Sequence, residues 1–224
     1  MRDMGTEPLI RQTPGPAPAP GVPIVAFDFD GTLTIRDSFT AFLRWRAGPA
    51  RWAVGLARLT PAVLTYAHDR DRGRIKAASV REFLGGLDRA TLEAEAERFA
   101  EFIWPRFIRP DALACWQDWG RKGAHRVIVT ASPEITVAPF ARRLGAEALL
   151  GTHMTFDDAG RVTGVFTGPN CRGEEKVRRL RAAYGDDLQL AAAYGDTSGD
   201  TEMLAFAAEA GFRVFTARPG LSRP

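Results

Sequence analysis

The chain is 224 residues long, with 45% apolar and 25% charged residues and a formal net charge of +3. These are ordinary globular proportions, which exclude a collagen-like or wholly disordered chain and suit one domain with an insertion or two small domains. Its two cysteines, Cys115 and Cys171, are too few for a disulfide framework and lack metal-ligand spacing, which points to a reducing compartment; no apolar run reaches the roughly 18 residues of a membrane span.

Residues 1–22 contain Pro8, Pro14, Pro16, Pro18 and Pro20 and almost no large apolar residue. Such a segment cannot bury enough surface to offset its ordering entropy, so the composition predicts a disordered, partly polyproline tail. It lacks the charged start and apolar centre of a secretory signal, and the expected location is cytoplasmic. From Pro23 the character changes. Ile24-Val25-Ala26-Phe27 is a short apolar run of the kind found in parallel strands buried on both faces.

Four helices are predicted next, over 38–47, 50–67, 71–84 and 89–104, separated by Gly48-Pro49, Asp69–Asp71 and Gly85-Gly86. This 38–109 block reads as a helical cap inserted after the first strand. Residues 23–37 and 110–224 form the rest, a Rossmann-like α/β core with a small β-hairpin. Its predicted strands are 126–129, 188–192 and 211–215, and its helices 111–122, 134–143, 174–184 and 200–210. Strands and helices alternating at this spacing imply βαβ units and a parallel sheet. The hairpin falls within 154–166, around Asp157-Asp158-Ala159-Gly160.

Charge is unevenly placed. Residues 38–109 carry 13 Arg or Lys against 8 Asp or Glu, while 23–37 carry three aspartates and one arginine. A basic middle therefore faces an acidic point near the first strand. Apolar residues interleaved with the arginines, and the acidity of the core, argue against a nucleic-acid partner.

Four segments carry chemistry. Asp28-Phe29-Asp30-Gly31-Thr32 follows the first strand directly, and ligands of open α/β sheets bind at the carboxyl ends of strands. Two carboxylates two residues apart there repel each other unless a cation compensates. Gly195-Asp196-Thr197-Ser198-Gly199-Asp200 repeats the arrangement at a later strand end, with Asp200 also able to cap the following helix. Four acids on two strand ends suggest a hard-cation site, and Mg²⁺ takes oxygen ligands. Thr130-Ala131-Ser132-Pro133 offers hydroxyls and free N–H groups before a helix, an anion seat or an ordinary helix start. Lys176 follows Gly173-Glu174-Glu175; alone it reads as a surface lysine.

In this order the four segments resemble the haloacid dehalogenase superfamily, and specifically its phosphoserine-phosphatase-like subfamily IB. The resemblance covers about residues 23–216. It implies a Mg²⁺-dependent phosphatase that passes through an aspartyl-phosphate. Asp28 would be the nucleophile and Asp30 the acid and base. Asp28, the Asp30 backbone carbonyl and Asp196 would hold the ion, and Asp200 would orient Lys176 or a metal-bound water. Thr130, or alternatively Ser132, would bind phosphoryl oxygens together with Lys176. Phosphotransfer or phosphomutase chemistry on the same core is the alternative.

Substrate identity rests with the cap. Phosphoserine phosphatases have Glu shortly after the first motif; here Asp37 stands nine residues after Asp28, as a substrate-contact candidate. The Asn170-Cys171-x-Gly173-x-x-Lys176 pattern, with Asp37-Ser38-Phe39, looks more like the subgroup that includes phosphatidylglycerophosphatase C. That implies a small-molecule or lipid-head-group phosphoester. Between Ser38 and Ala67 there is no acid, while Arg44, Arg51 and Arg58 lie seven apart, as do Trp45, Trp52, Leu59 and Tyr66. This stripe belongs either inside a helical bundle or at an anionic membrane surface touched peripherally. Cys171 either lines the site or is a buried inert thiol.

Overall fold

In the computed structural model, which describes residues 18–69 and 72–220, strand β1 (Ile24–Phe27) is buried along its whole length. The tail expected over 1–22 lies outside the described residues up to position 17, as do residues 70 and 71 and the Tyr66 side chain. The pleat sends alternate β1 residues to opposite faces. Val25 and Phe27 join one apolar cluster, with Trp116 and Phe140, while Ile24 and Ala26 join another, with Leu180 and Met203. Covering on both faces is why this strand reads as a continuous apolar run rather than an alternating one.

Six strands form one sheet in the order β4-β3-β2-β1-β5-β6. Strands β2 (His125–Pro133), β3 (Ala148–Phe156), β5 (Leu190–Gly195) and β6 (Ala207–Phe212) run parallel to β1, and β4 (Val162–Thr167) turns back antiparallel on β3. Helices α4 (Pro110–Arg121), α5 (Glu134–Leu144), α6 (Glu174–Tyr184) and α7 (Thr201–Ala205) complete the core. Trp116 of α4 packs edge-on to Phe27 at 5.0 Å between centroids, and its indole N–H donates to the Leu144 carbonyl at 2.9 Å.

Helices α1 (Ser38–Asp69), α2 (Arg72–Leu84) and α3 (Arg89–Ile103) lie between β1 and α4 in sequence. The expected break at Gly48-Pro49 is a kink within α1, where Gly48 leaves helical geometry at φ 70°, ψ 170°. Asp88 caps α3 by accepting the Thr91 N–H at 2.8 Å. Helix α2 packs on β4 and α3 on α5. Phe99 of α3 stands 6.1 Å from Phe140, which is 5.3 Å from Phe29 beside the first motif, so helical block and sheet share one aromatic core.

Two expectations need correction. The helix predicted over 200–210 ends at Ala205, and Ala207–Phe212 instead pairs with β5, Leu190 opposite Ala207 through Gly195 opposite Phe212. The alanines favour a helix locally, but the open edge of β5 offers a full ladder and tertiary pairing wins. The strand expected over 211–215 is therefore displaced; Arg213 takes φ 53° at the turn, and Phe215 folds back to stack 6.3 Å from Phe27. Strand β3 also begins at Ala148, six residues before the expected hairpin, and supplies a core strand the sequence pattern did not disclose.

The arginine stripe of α1 turns largely toward its own helical neighbours. Arg51 and Arg58 meet Glu82 of α2 at 2.6 and 3.5 Å, and Arg46 meets Glu95 of α3 at 2.5 Å. Trp52 stacks on Phe83 at 4.9 Å. Val54, Leu56, Val63 and Leu64 point outward, 46–68% exposed. No helix among the described residues is long and apolar enough to cross a membrane.

Candidate active site

Strand β1 is flanked by β2 on one side and β5 on the other, so chain direction diverges from it and its carboxyl end opens into a crevice. The Asp28 N–H continues the ladder by donating to the Tyr194 carbonyl at 2.8 Å. The chain then makes a wide turn over Phe29–Leu33, closed by the Thr34 N–H to the Phe29 carbonyl at 3.0 Å. Gly31 carries the turn at φ 88°; a Cβ there would fall 2.2 Å from Asp196 Oδ2, so only glycine lets the β5 loop approach this closely.

Lys176 is the hub. It is 1% exposed, and its ammonium donates to Asp28 Oδ1 at 2.5 Å, Asp200 Oδ1 at 2.7 Å and the Val129 carbonyl at 2.6 Å. The sequence reading of an isolated surface lysine is thus overturned: helix α6 aims it inward. Burial disfavours its charge, yet Asp28 and Asp200 outweigh that and raise its pKa above the ordinary lysine range. Asp200 is pulled below the usual carboxylate range: burial opposes its charge, but Lys176 and the Thr197 groups prevail. Its second oxygen accepts the Thr197 N–H at 2.9 Å and the Asp196 N–H at 3.2 Å, rather than capping α7. Asp28 moves the other way. Burial, with Asp200 and Asp30 nearby, pushes its pKa to about 7 despite Lys176.

Asp30 is held on both oxygens. The Ser38 N–H donates to Oδ1 at 2.6 Å and the Ser132 hydroxyl to Oδ2 at 2.5 Å. Burial, then the charge of Asp37, raises its pKa to about 6. Ser132 therefore meets Asp30, while Thr130, fully buried, uses its hydroxyl oxygen to accept the Ser132 N–H at 3.0 Å. Asp37 is exposed and accepts the Thr40 N–H at 2.6 Å, which caps the start of α1. Cys171 is buried, its thiol pushed up to about 11 by burial, which leaves it an inert core thiol.

Carboxylate oxygens of Asp28, Asp196 and Asp200 all lie within 4.8 Å of one another. Burial, then Asp200, raises the Asp196 pKa too. A cluster with oxygen donors only, in which Asp28 and Asp196 resist ionisation, fits a hard divalent cation such as Mg²⁺. The Asp30 carboxylate is outside this group.

Two further residues at the site had no motif to disclose them. Lys76 of α2 donates to the Ala131 carbonyl at 2.6 Å and to Asn170 Oδ1 at 3.2 Å, bringing the helical block onto the Thr130–Ser132 segment. It is one of only three lysines in an arginine-rich chain, and that rarity was the available signal. Arg109 donates from Nε to the Gly31 and Thr34 carbonyls, both at 3.1 Å, and braces the first motif from behind.

A family model described as haloacid dehalogenase-like hydrolase matches residues 25–205. Protein CicA of Caulobacter vibrioides is 55% identical over 217 residues, covering 97% of this chain and 91% of its own. A Mycobacterium tuberculosis protein named as a probable phosphatase is 30% identical over 217 residues, covering 88% of this chain and 72% of its own. Among solved structures, a protein of unknown function from Bordetella pertussis aligns at TM-score 0.68 and 24% identity, covering 82% of this chain and 86% of that one. A phospho-aspartyl intermediate analogue of phosphoserine phosphatase aligns at TM-score 0.52 and 20% identity, covering 85% and 86%. At these identities the two structures bear on fold alone.

Proposed function

The chain belongs to the haloacid dehalogenase-like hydrolase family, and we propose that within it the protein is a Mg²⁺-dependent phosphomonoesterase working through an aspartyl-phosphate on Asp28. The observation that carries this reading is the buried Lys176 bridging Asp28 and Asp200, with Asp30 held separately by Ser38 and Ser132. Burial raises both pKa values, to about 7 and about 6, but the fixed ammonium beside Asp28 favours its charged form, while Asp30 is held by an N–H and a hydroxyl. That asymmetry suits Asp28 as nucleophile and Asp30 as proton carrier.

Asp28, Asp196 and the Asp30 carbonyl would hold Mg²⁺, with Asp200 behind them; when bound, the ion offsets repulsion between Asp28 and the phosphate and polarises the phosphoryl group. An Asp28 oxygen attacks phosphorus, the bond from phosphorus to the leaving oxygen breaks, and Asp30 gives that oxygen its proton. Asp30, now a carboxylate, takes a proton from water. The water oxygen bonds to phosphorus, the phosphorus–Asp28 bond breaks, and inorganic phosphate leaves with Asp28 restored. A pKa of about 6 lets Asp30 serve in both directions near neutrality. Lys176 balances charge on Asp28 and the phosphoryl oxygens, and the Thr130–Ser132 segment offers further donors.

The substrate is a small-molecule or lipid-head-group phosphoester. The outward apolar residues of α1, Val54, Leu56, Val63 and Leu64, favour the lipid version as a second reading. The test of the chemistry is hydrolysis of p-nitrophenyl phosphate with Mg²⁺. Asp28→Asn is expected to lose at least a thousandfold in turnover, and beryllofluoride to occupy Asp28 in the wild type. Wild-type turnover in the Asn variant would remove Asp28 as nucleophile.

A further inference from the structure

Asp30 is gripped from two sides. Ser132, at the end of β2, donates its hydroxyl to Oδ2 at 2.5 Å, and the Ser38 N–H donates to Oδ1 at 2.6 Å. Ser38 is the first residue of α1, so the second grip comes from the helical block. Its backbone is accounted for by that bond, but its side chain is not. Among the described residues, three buried side-chain polar atoms lack a hydrogen bond. Two of them, Arg51 Nη1 and Glu82 Oε1, meet each other as an ion pair at 2.6 Å. The third is the hydroxyl of Ser38, a residue 2% exposed.

That hydroxyl stands beside Asp30: burial raises the Asp30 pKa, and the Ser38 side chain acts against the rise, yet the two groups do not meet in hydrogen-bond geometry. A buried hydroxyl without a partner destabilises the fold, so its persistence next to a reacting carboxyl is accounted for when the substrate supplies the partner. The flanking groups say which part of the substrate this is. Ser132 approaches Asp30 from the segment that offers donors to the phosphoryl oxygens, and Ser38 approaches from the helical block. The phosphorus side therefore lies toward Ser132 and the rest of the ester toward Ser38. The oxygen that joins them is the leaving oxygen, the atom to which Asp30 gives its proton. The start of α1 also brings the positive end of its backbone dipole to this point.

We propose that the Ser38 hydroxyl donates a hydrogen bond to the leaving oxygen of the phosphoester and is a substrate contact in its own right. The proposal rests on the phosphatase reading and deepens it. As the ester bond breaks, charge grows on the leaving oxygen, so this hydrogen bond strengthens in the transition state and acts on rate rather than on binding alone. Asp30 still delivers the proton; Ser38 gives none up and needs no base. One hydrogen bond to a developing charge is worth roughly tenfold or more in rate.

The experiment measures kcat/KM with Mg²⁺ for wild type and Ser38→Ala on a series of phenyl phosphates, from p-nitrophenyl through phenyl to p-methylphenyl. These esters share a shape and differ in how basic the departing oxygen is. Ser38→Ala keeps the backbone N–H on Asp30 and removes only the hydroxyl. Its loss in kcat/KM is expected to grow along the series, about tenfold larger for p-methylphenyl than for p-nitrophenyl phosphate. Its Tm is expected to equal or exceed that of wild type, because the deleted hydroxyl has no partner in the free protein. An equal loss on every ester would mean that the hydroxyl serves only Asp30 or an ordered water, and overturns the proposal. So does wild-type kinetics across the series, or a Tm lowered by several degrees, which would reveal an internal partner. Failure of the wild type to hydrolyse any of the esters removes the phosphatase reading and this proposal with it, whereas turnover with a flat series removes the proposal alone.

Discussion

The cost of gathering acids at the end of β1 sets how stability depends on pH and on metal. Asp28 rises from 3.8 to about 7 and Asp30 from 3.8 to about 6, burial being the leading cause for each. Above pH 4 the folded state therefore binds more protons than the unfolded state, and stability falls as pH rises until both groups have ionised. Between pH 5 and 7.5 about two pH units of that penalty accrue at Asp28 and about one at Asp30, together on the order of 4 kcal/mol at 1.36 kcal/mol per unit. His125 acts in the opposite sense: burial beside Tyr184 lowers its pKa, which costs stability as pH falls through 6.5. Measuring with and without Mg²⁺ at each pH cancels that contribution. Mg²⁺ held by Asp28 competes with the proton there, so its affinity is expected to be weaker at pH 5 than at pH 7.5 by up to about a hundredfold. The gain in stability at saturating Mg²⁺ should then differ by about 3 kcal/mol between the two pH values, roughly 6–12 °C in Tm for a chain of this size. Thermal melts over a Mg²⁺ series at pH 5 and 7.5 measure this. Equal Mg²⁺ shifts at both values would refute the assignment of Asp28 as a metal ligand with a raised pKa.

Asp30→Asn is expected to lose most turnover while keeping its Mg²⁺ dependence, whereas Asp196→Asn raises the Mg²⁺ concentration needed for half-maximal activity; identical Mg²⁺ titrations would contradict this division. Gly31→Ala introduces a Cβ 2.2 Å from Asp196 Oδ2 at φ 88°, so a loss of more than about 1 kcal/mol in denaturant stability is expected together with weakened Mg²⁺ activation. Wild-type behaviour of that variant would mean the close approach of the two loops is dispensable.

The central strands were legible because burial on both faces leaves an uninterrupted apolar signature, as in Ile24–Phe27. The acids of the first and last motifs were legible because each follows such a strand, and the structure brings Asp28, Asp196 and Asp200 to one point. What escaped depends on distant partners. Ala207–Ala210 carries no strand pattern of its own and is drawn into the sheet by the edge of β5. Lys76 lies 55 residues from Ala131 in sequence and shares no local motif with it; only the packing of α2 on β4 creates the contact. Asn170 was singled out within a motif, but its tie to Lys76 was invisible for the same reason.

The α1 arginines show how packing changes the meaning of a charge pattern. An acid-free run with four arginines suggests attraction to an anionic surface at about 1 kcal/mol per cation. In the fold Arg46, Arg51 and Arg58 are answered by Glu95 and Glu82, acids that lie outside the run and 24 or more residues further along the chain. Much of the long-range field of the stripe is thereby cancelled. What α1 presents outward is aliphatic: Val54, Leu56, Val63 and Leu64, each about half exposed or more. Burying the exposed part of such a side chain is worth roughly 1 kcal/mol, so the four together support only millimolar-range partitioning, driven by area and insensitive to salt. Recruitment of that strength cannot select one phosphoester from another. Selection must therefore fall to groups that reach the reacting phosphate, and among the α1–α3 residues described here Lys76 is the one that contacts the Thr130–Ser132 segment through a direct hydrogen bond.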